Sequence, residues 1–179
     1  MVYVFFADGF EEIEALTPVD VLRRAGFEVK TVGVTGKTVT GSHGIPVVCD
    51  IEIAEAVKSD IKAVVLPGGL PGTTNLEASA TVQEFIDYAD STGAVVAAIC
   101  AAPSVLGHKG LLKGRRATCY TGFENELLGA TATGEPAVCD GNIVTGRGAG
   151  AAFAFAFALL DTLTGSDEVS NKLRKAMLC

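Results

Sequence analysis

Strand-like and helix-like segments alternate from one end of this chain to the other, and few architectures accept that order. Val2 to Ala7, Ile61 to Leu66 and Ala94 to Ile99 are mostly apolar, the pattern of strands covered on both faces. Phe27 to Val34 is a further strand. Glu12 to Ala25 is predicted helical: Leu16, Val19 and Leu22 form an apolar stripe, Pro18 introduces a kink, and Gly26 closes the helix. A second helix is expected near Ala80 to Thr92 and a third directly after Ile99. Strands that alternate with helices in this way build a parallel sheet between two helical layers. The expected fold class is α/β with a mostly parallel central sheet, in one domain spanning residues 1–179.

Several segments depart from strict alternation. Lys37 to Asp50, rich in Gly, Thr and Val, is expected as a small β excursion. Ala117 to Tyr120 is predicted as a short strand, and Pro136 to Thr145 as a hairpin turned by Asp140-Gly141. Phe153 to Phe157 alternates like a strand, yet its alanines and the following Leu159, Leu160 and Leu163 favour a helix. Phe155 would then face away from Phe153 and Phe157, with both sides covered. Ser166 to Met177 has the pattern of a final amphipathic helix.

A net charge of -7 and the lack of a long basic stretch argue against a nucleic-acid groove, since phosphate binding needs clustered Lys and Arg. Met1 to Phe6 is followed by Asp8, Glu11 and Glu12, which fits neither a signal peptide nor a membrane span, and the apolar run Ala151 to Leu160 is only ten residues long. A soluble, cytoplasmic protein is expected. The five cysteines (49, 100, 119, 139 and 179) form no C-x-x-C pair and are odd in number, so neither a disulfide framework nor a zinc knuckle is expected. His43 and His108 do not complete a ligand set by spacing, and no metal is expected.

Cys100 stands at the end of the run Ala94 to Ile99, and Ala101-Ala102-Pro103-Ser104-Val105-Leu106 follows at once. Such strand-to-helix junctions mount nucleophiles in α/β enzymes, and the unpaired amides of the new helix favour a thiolate. The position equally suits a small buried apolar residue. Ligands of open α/β sheets bind beyond the carboxyl ends of the strands, where Asp8 to Glu14, Pro67-Gly68-Gly69 and Cys100 all fall. The Gly69 and Ala101 amides could form an oxyanion hole, although Gly68-Gly69 also suits an ordinary tight turn. Glu11, Glu12 and Glu14 could simply complement a helix dipole. His108 lies eight residues beyond Cys100, about 12 Å along a helix, too far for a hydrogen bond. His108-Lys109 before Gly110 suits a helix C-terminus and His43 a surface position, which leaves Glu14 as the candidate for proton transfer.

Phe10-Glu11-Glu12-Ile13-Glu14-Ala15, Pro18 to Gly26, Leu66-Pro67-Gly68-Gly69, Ala98-Ile99-Cys100-Ala101-Ala102-Pro103 and Thr145-Gly146-Arg147-Gly148 together resemble the DJ-1/ThiJ/PfpI superfamily in its DJ-1-like branch, in motif order over nearly the whole chain. The resemblance implies a flavodoxin-like three-layer sandwich, usually homodimeric, with a nucleophile-elbow cysteine and an acidic partner from the first helix. Position by position, it implies Cys100 as nucleophile, Glu14 as its carboxylate partner, and Gly69 and Ala101 as backbone donors. Arg24 and Arg147 match arginine positions of the family, with structural ion pairing and substrate contact both open.

The departures from the family pattern bear on chemistry. Ala101 stands where protease-like and chaperone branches place histidine directly after the nucleophile, which argues against peptidase, amidase or chaperone activity. Tyr120 stands where several relatives carry a site histidine; it can donate a hydrogen bond but is a poor base at neutral pH. His43 in Gly41-Ser42-His43-Gly44 replaces an arginine. The expected activity is a cofactor-independent glyoxalase or deglycase acting on small aldehydes such as methylglyoxal, with redox sensing through sulfinic acid at Cys100 as the alternative. A phosphate- or nucleotide-binding module at Gly146 to Gly150 is disfavoured, because the spacing departs from G-x-G-x-x-G and no P-loop lysine is present.

Overall fold

The computed structural model describes residues 1–179 and shows the expected α/β sandwich, a seven-stranded sheet with helices on both faces. In chain order the first half comprises β1 (Val2–Phe6), α1 (Glu12–Arg24), β2 (Val29–Gly33), β3 (Thr38–Thr40), β4 (Pro46–Val48), β5 (Ile51–Glu52), β6 (Ala63–Leu66), α2 (Gly72–Ala78) and α3 (Ala80–Thr92). The second half comprises β7 (Val95–Ile99), α4 (Pro103–His108), β8 (Arg116–Ala117), β9 (Thr131–Ala132), β10 (Ala137–Asp140), β11 (Ile143–Gly146), α5 (Ala152–Thr164) and α6 (Glu168–Met177). No helix is long and apolar enough to cross a membrane.

The main sheet runs β10-β11-β7-β6-β1-β2-β5, and only the β10–β11 pair is antiparallel. The chain begins in the middle at β1, winds outward through β2, and returns to β6 on the other side of β1. That reversal makes the carboxyl ends of β1 and β6 a topological switch point, where the departing loops part and leave a crevice.

Every residue of β1, β6 and β7 is buried, because the sheet has two apolar faces to cover. On one face Phe10, Ala15, Val19 and Leu22 join Phe155, Phe157 and Leu160 of α5 against Val4, Phe6 and Ile99. On the other, Leu76, Phe85, Ile86 and Leu106 from α2, α3 and α4 pack on Tyr3, Phe5 and Leu66. The Phe85 ring meets Tyr3 and Phe5 edge-on, with centroids 5.7 and 5.3 Å away.

Three local expectations need correction. Helix α1 turns Ala15, Pro18, Val19 and Leu22 inward and leaves Ile13 and Leu16 exposed, so its buried face is rotated from the Leu16 stripe. The expected strand Ala117 to Tyr120 is reduced to Arg116–Ala117, paired with β9 in a separate two-stranded sheet. It has no place in the main sheet because β11 already has β7 and β10 on its two sides; Thr118 N instead donates to Thr145 Oγ1 at 2.9 Å. Phe155 and Phe157 are both fully buried while Phe153 is exposed, so α5 hides two of the three aromatic residues rather than covering all of them. The short helix α2 has a single large apolar residue buried, Leu76, and carries no periodicity that a sequence reading could detect.

Truncating Phe155 to Ala should lower unfolding free energy by about 3–5 kcal/mol, against under about 1 kcal/mol for Phe153→Ala. Urea denaturation of the two variants measures both, and a reversed order would contradict the placement of α5.

Candidate active site

Strand β7 delivers Cys100 to the crevice. The Cys100 amide still donates to Gly146 O at 2.9 Å, as a strand residue would, but its φ of 66° then turns the chain toward α4, with Pro103 in that helix's first turn. A left-handed conformation in a residue other than glycine costs on the order of 1–3 kcal/mol, sustained here by well-packed neighbours. Ile99 and Ala101 are buried, whereas Cys100 is partly exposed. Cys100 O accepts from Tyr120 N at 2.8 Å, which ties the Tyr120 loop to the same turn.

Strand β6 supplies the floor. A methyl group on Gly68 would lie 2.5 Å from Cys100 Cβ, 2.6 Å from Glu14 Oε2 and 2.9 Å from Ile99 O, so only glycine lets these three elements converge. Gly69 has φ of 87°, and a side chain there would strike Gly9 O and Glu11 N, each 2.5 Å away. The Ala101 and Gly69 amides lie on the side of the cysteine sulfur and favour its ionised form.

Helix α1 brings in Glu14, which has no solvent exposure. Its Oε2 accepts from Gly68 N at 3.0 Å, and its Oε1 is buried without a hydrogen-bond partner. Burial pushes this carboxyl up to about 7, opposed by the neighbouring thiol and the Gly68 amide and reinforced by the charge of Glu11. Burial, together with the Glu14 carboxylate, pushes the Cys100 thiol up to about 12; the Ala101 and Gly69 amides pull the other way without prevailing. Burial and the adjacent negative charge work against the thiolate that the helix amides favour.

A cavity of about 480 Å³ opens beside this pair, lined by Tyr120, Thr121, Pro136, Arg147 and the backbone from Gly148 to Ala151. A methyl group on Gly148 would sit 3.3 Å from Tyr120 Cδ2 and 4.0 Å from Cys100 Sγ, which fixes how closely cavity and sulfur adjoin. Cys100, Glu14, Gly69 and Ala101 thus come together, with Tyr120 and Arg147 on the adjoining wall. Gly68 and Gly148 matter as much to this geometry, and their only sequence signal is glycine spacing beside the key loops.

Two expected pocket residues lie elsewhere. Arg24 is ten residues beyond Glu14 in α1, about 15 Å along the helix, and pairs with Asp20 at 2.8 Å on the exposed surface. His43 sits in the β3–β4 loop, where its Nδ1 lies 3.0 Å from Glu12 Oε2 and 3.6 Å from Glu11 Oε2. The hydrogen bond to Glu12, then the charge of Glu11, raises the His43 pKa. Glu12, nearly buried, also accepts from His43 N at 2.9 Å, so it anchors the hairpin loop to the start of α1. Glu11, Glu12 and His43 place one potential metal-ligand atom each within 4.8 Å of one another, but these atoms are engaged in hydrogen bonds with each other and with Ser42.

The sequence model of the DJ-1/PfpI family matches residues 1–162. The chain is 38% identical over 173 residues to "Protein DJ-1 homolog B" of Arabidopsis thaliana, a match that covers 93% of this chain and 40% of that longer protein. It is 35% identical over 149 residues to a Pyrococcus abyssi protein named a deglycase, covering 82% of this chain and 89% of the relative. Among solved structures, oxidized Toxoplasma gondii DJ-1 superposes with a TM-score of 0.94 at 32% identity, covering 99% of this chain and 97% of that one. A family match across nine-tenths of the chain, on a fold whose motifs converge at Cys100, has one meaning. The chain belongs to the DJ-1/PfpI family.

Proposed function

We propose that this protein is a cofactor-independent glyoxalase or deglycase that uses Cys100 as nucleophile and Glu14 as general acid and base. The observation that carries the reading is a fully buried carboxyl, pushed up to about 7, that converges with Cys100 on Gly68, where a side chain would lie 2.6 Å from Glu14 Oε2 and 2.5 Å from Cys100 Cβ. A base near neutrality is the kind needed to move protons at physiological pH. The name of the Pyrococcus abyssi relative supports the same class.

In the proposed reaction, ionised Glu14 takes the thiol proton as Cys100 Sγ bonds to the aldehyde carbon of methylglyoxal. The carbonyl π electrons move to oxygen, which the Gly69 and Ala101 amides stabilise before it is protonated to a hemithioacetal. Glu14 then removes the hydrogen from the former aldehyde carbon and returns a proton to the neighbouring carbon, giving a thioester of a 2-hydroxy acid. Water cleaves the thioester, releasing lactate and restoring the thiol. Oxidation at one carbon balances reduction at the next, so no external electron carrier enters.

Lactate release from methylglyoxal without glutathione is expected from the wild-type protein, and Cys100→Ser or Glu14→Gln should lose it by at least about a thousandfold. Activity retained in either variant would refute the mechanism. Because Glu14 must be ionised to begin the cycle, kcat/KM should rise with pH through about 7. A flat profile from weakly acidic to weakly basic pH would speak against it.

The same carboxyl makes a stability prediction. Its pKa is raised from 4.5 to about 7, so the folded state binds the proton more tightly, and folding loses stability as pH climbs through that window. Glu14→Gln removes the titration. Its melting temperature relative to wild type should therefore improve between pH 5 and pH 8, where roughly 3 kcal/mol is at stake. A difference independent of pH would mean that Glu14 is not the strained group.

A second reading, redox sensing, is favoured by the unpartnered buried Oε1 of Glu14 and by likeness to a DJ-1 structure described as oxidized. Two equivalents of peroxide would convert the thiol to a sulfinic acid with release of two waters, and protonated Glu14 could donate to the new oxygen. Mass spectrometry after mild peroxide should then find Cys100 oxidised ahead of the exposed Cys179.

A further inference from the structure

Arg147 stands apart from every other arginine in the chain. Of six arginines, Arg23, Arg24, Arg115 and Arg116 pair with carboxylates, and Arg174 lies over the Phe157 ring at 4.0 Å. The Arg147 side chain has neither a salt bridge nor a hydrogen bond, in a protein whose net charge of -7 offers an excess of carboxylates. Its backbone is nonetheless fixed: Arg147 N donates to Pro136 O at 3.0 Å, directly after β11.

Arg147, exposed and with its guanidinium unpartnered, is one of the residues that line the 480 Å³ cavity. Gly148, the next residue, adjoins Cys100 Sγ, so a ligand at Arg147 and a carbon bonded to the sulfur can belong to one small molecule. The backbone from Ala149 onward enters a 3-10 turn and then α5, and it lines the same wall. The first amides of a helix have no intrahelical acceptor. A planar fork of donors beside such amides is suited to an oxyanion rather than to a neutral group.

We propose that Arg147 is the specificity residue of this site, and that the preferred substrates are reactive aldehydes carrying a carboxylate or phosphate, held by Arg147 while the aldehyde carbon meets Cys100. The proposal rests on the reading of Cys100 as the reacting thiol. Neutral methylglyoxal would leave the Arg147 subsite without its anion, and a 2-oxoaldehyde with a terminal anion would occupy both halves of the cavity.

The first test needs no turnover. Cys100 alkylation by anionic iodoacetate and by neutral iodoacetamide is followed by mass spectrometry, with Cys100→Ser as the blank. The iodoacetate-to-iodoacetamide rate ratio should fall about tenfold in Arg147→Met and less in Arg147→Lys, the size expected for loss of one charge-assisted hydrogen bond. In the wild-type protein inorganic phosphate or succinate should slow iodoacetate more than iodoacetamide. If Arg147→Met does not fold, Arg147→Lys and this competition decide the matter.

The second test compares kcat/KM for methylglyoxal, 4,5-dioxopentanoate and 3-phosphooxy-2-oxopropanal, which separates carboxylate from phosphate recognition. The anionic-to-neutral ratio should drop about tenfold in Arg147→Met. An alkylation ratio that is the same in all variants and insensitive to added anions would overturn the subsite, even if methylglyoxal is consumed. A shifted alkylation ratio with no turnover of any 2-oxoaldehyde would leave the anion subsite standing and remove the glyoxalase reading instead.

Discussion

A carboxyl group without solvent exposure, holding one backbone hydrogen bond on one oxygen and none on the other, is an unfavourable thing to bury, and the site is arranged around that fact. Glu14 cannot retreat to water because Ala15, Val19 and Leu22 fix α1 against the sheet and α5. It cannot move away from Cys100 because Gly68 has no side chain to hold the two elements apart. The penalty appears as a proton held up to about 7, and the same penalty makes the group useful as a base near neutral pH. Helix packing, the Gly68 contact and the left-handed turn at Cys100 depend on one another, so a change in any of them reaches the sulfur.

Three glutamates at one helix start meet three different fates, although a dipole argument treats them alike. Glu12 is nearly buried and binds the β3–β4 loop through His43 and the amides around it. Glu11 accepts from Ser42 Oγ at 3.1 Å and adds its charge to the field that raises Glu14. Glu14 alone points to the switch point. The hairpin therefore does more than decorate an edge: it holds the acidic end of α1 in place while the sheet positions the cysteine.

The sheet was legible because burial on both faces writes itself into the strands as unbroken apolar runs, and β1, β6 and β7 coincide with the runs seen in the sequence. Local pattern failed where tertiary contacts decide. Leu16 has the spacing of a core residue but lies on the outward side of α1, and the segment after Ala117 has strand-forming residues but no free edge to join. The Cys100 junction was visible from the strand-to-helix switch. Its pairing with Glu14, eighty-six positions away, was visible only as the acidic residue left at the same sheet edge once the histidines were set aside, and the resemblance to known proteins then linked the two motifs. For Arg24 the resemblance left ion pairing and substrate contact both open, and the structure shows the ion pair, with Asp20.

The proposed reaction gives proton transfer to a carboxylate and not a histidine because both histidines are committed elsewhere. His43 is bound to Glu12 at 3.0 Å, and His108 is clamped between Glu77 and Glu126, 2.5 and 2.9 Å from its two ring nitrogens. The Glu77 and Glu126 hydrogen bonds raise the His108 pKa and favour a cation that ties α2 and the Glu124–Glu126 turn to α4. A histidine clamped between two carboxylates cannot also serve as a free base at another element. Tyr120 also lines the cavity, where its hydroxyl can serve as a hydrogen-bond donor. Glu14, a buried carboxyl pushed up to about 7 beside Cys100, is the group to which the proposed reaction assigns proton transfer, so that reaction needs no histidine next to the cysteine.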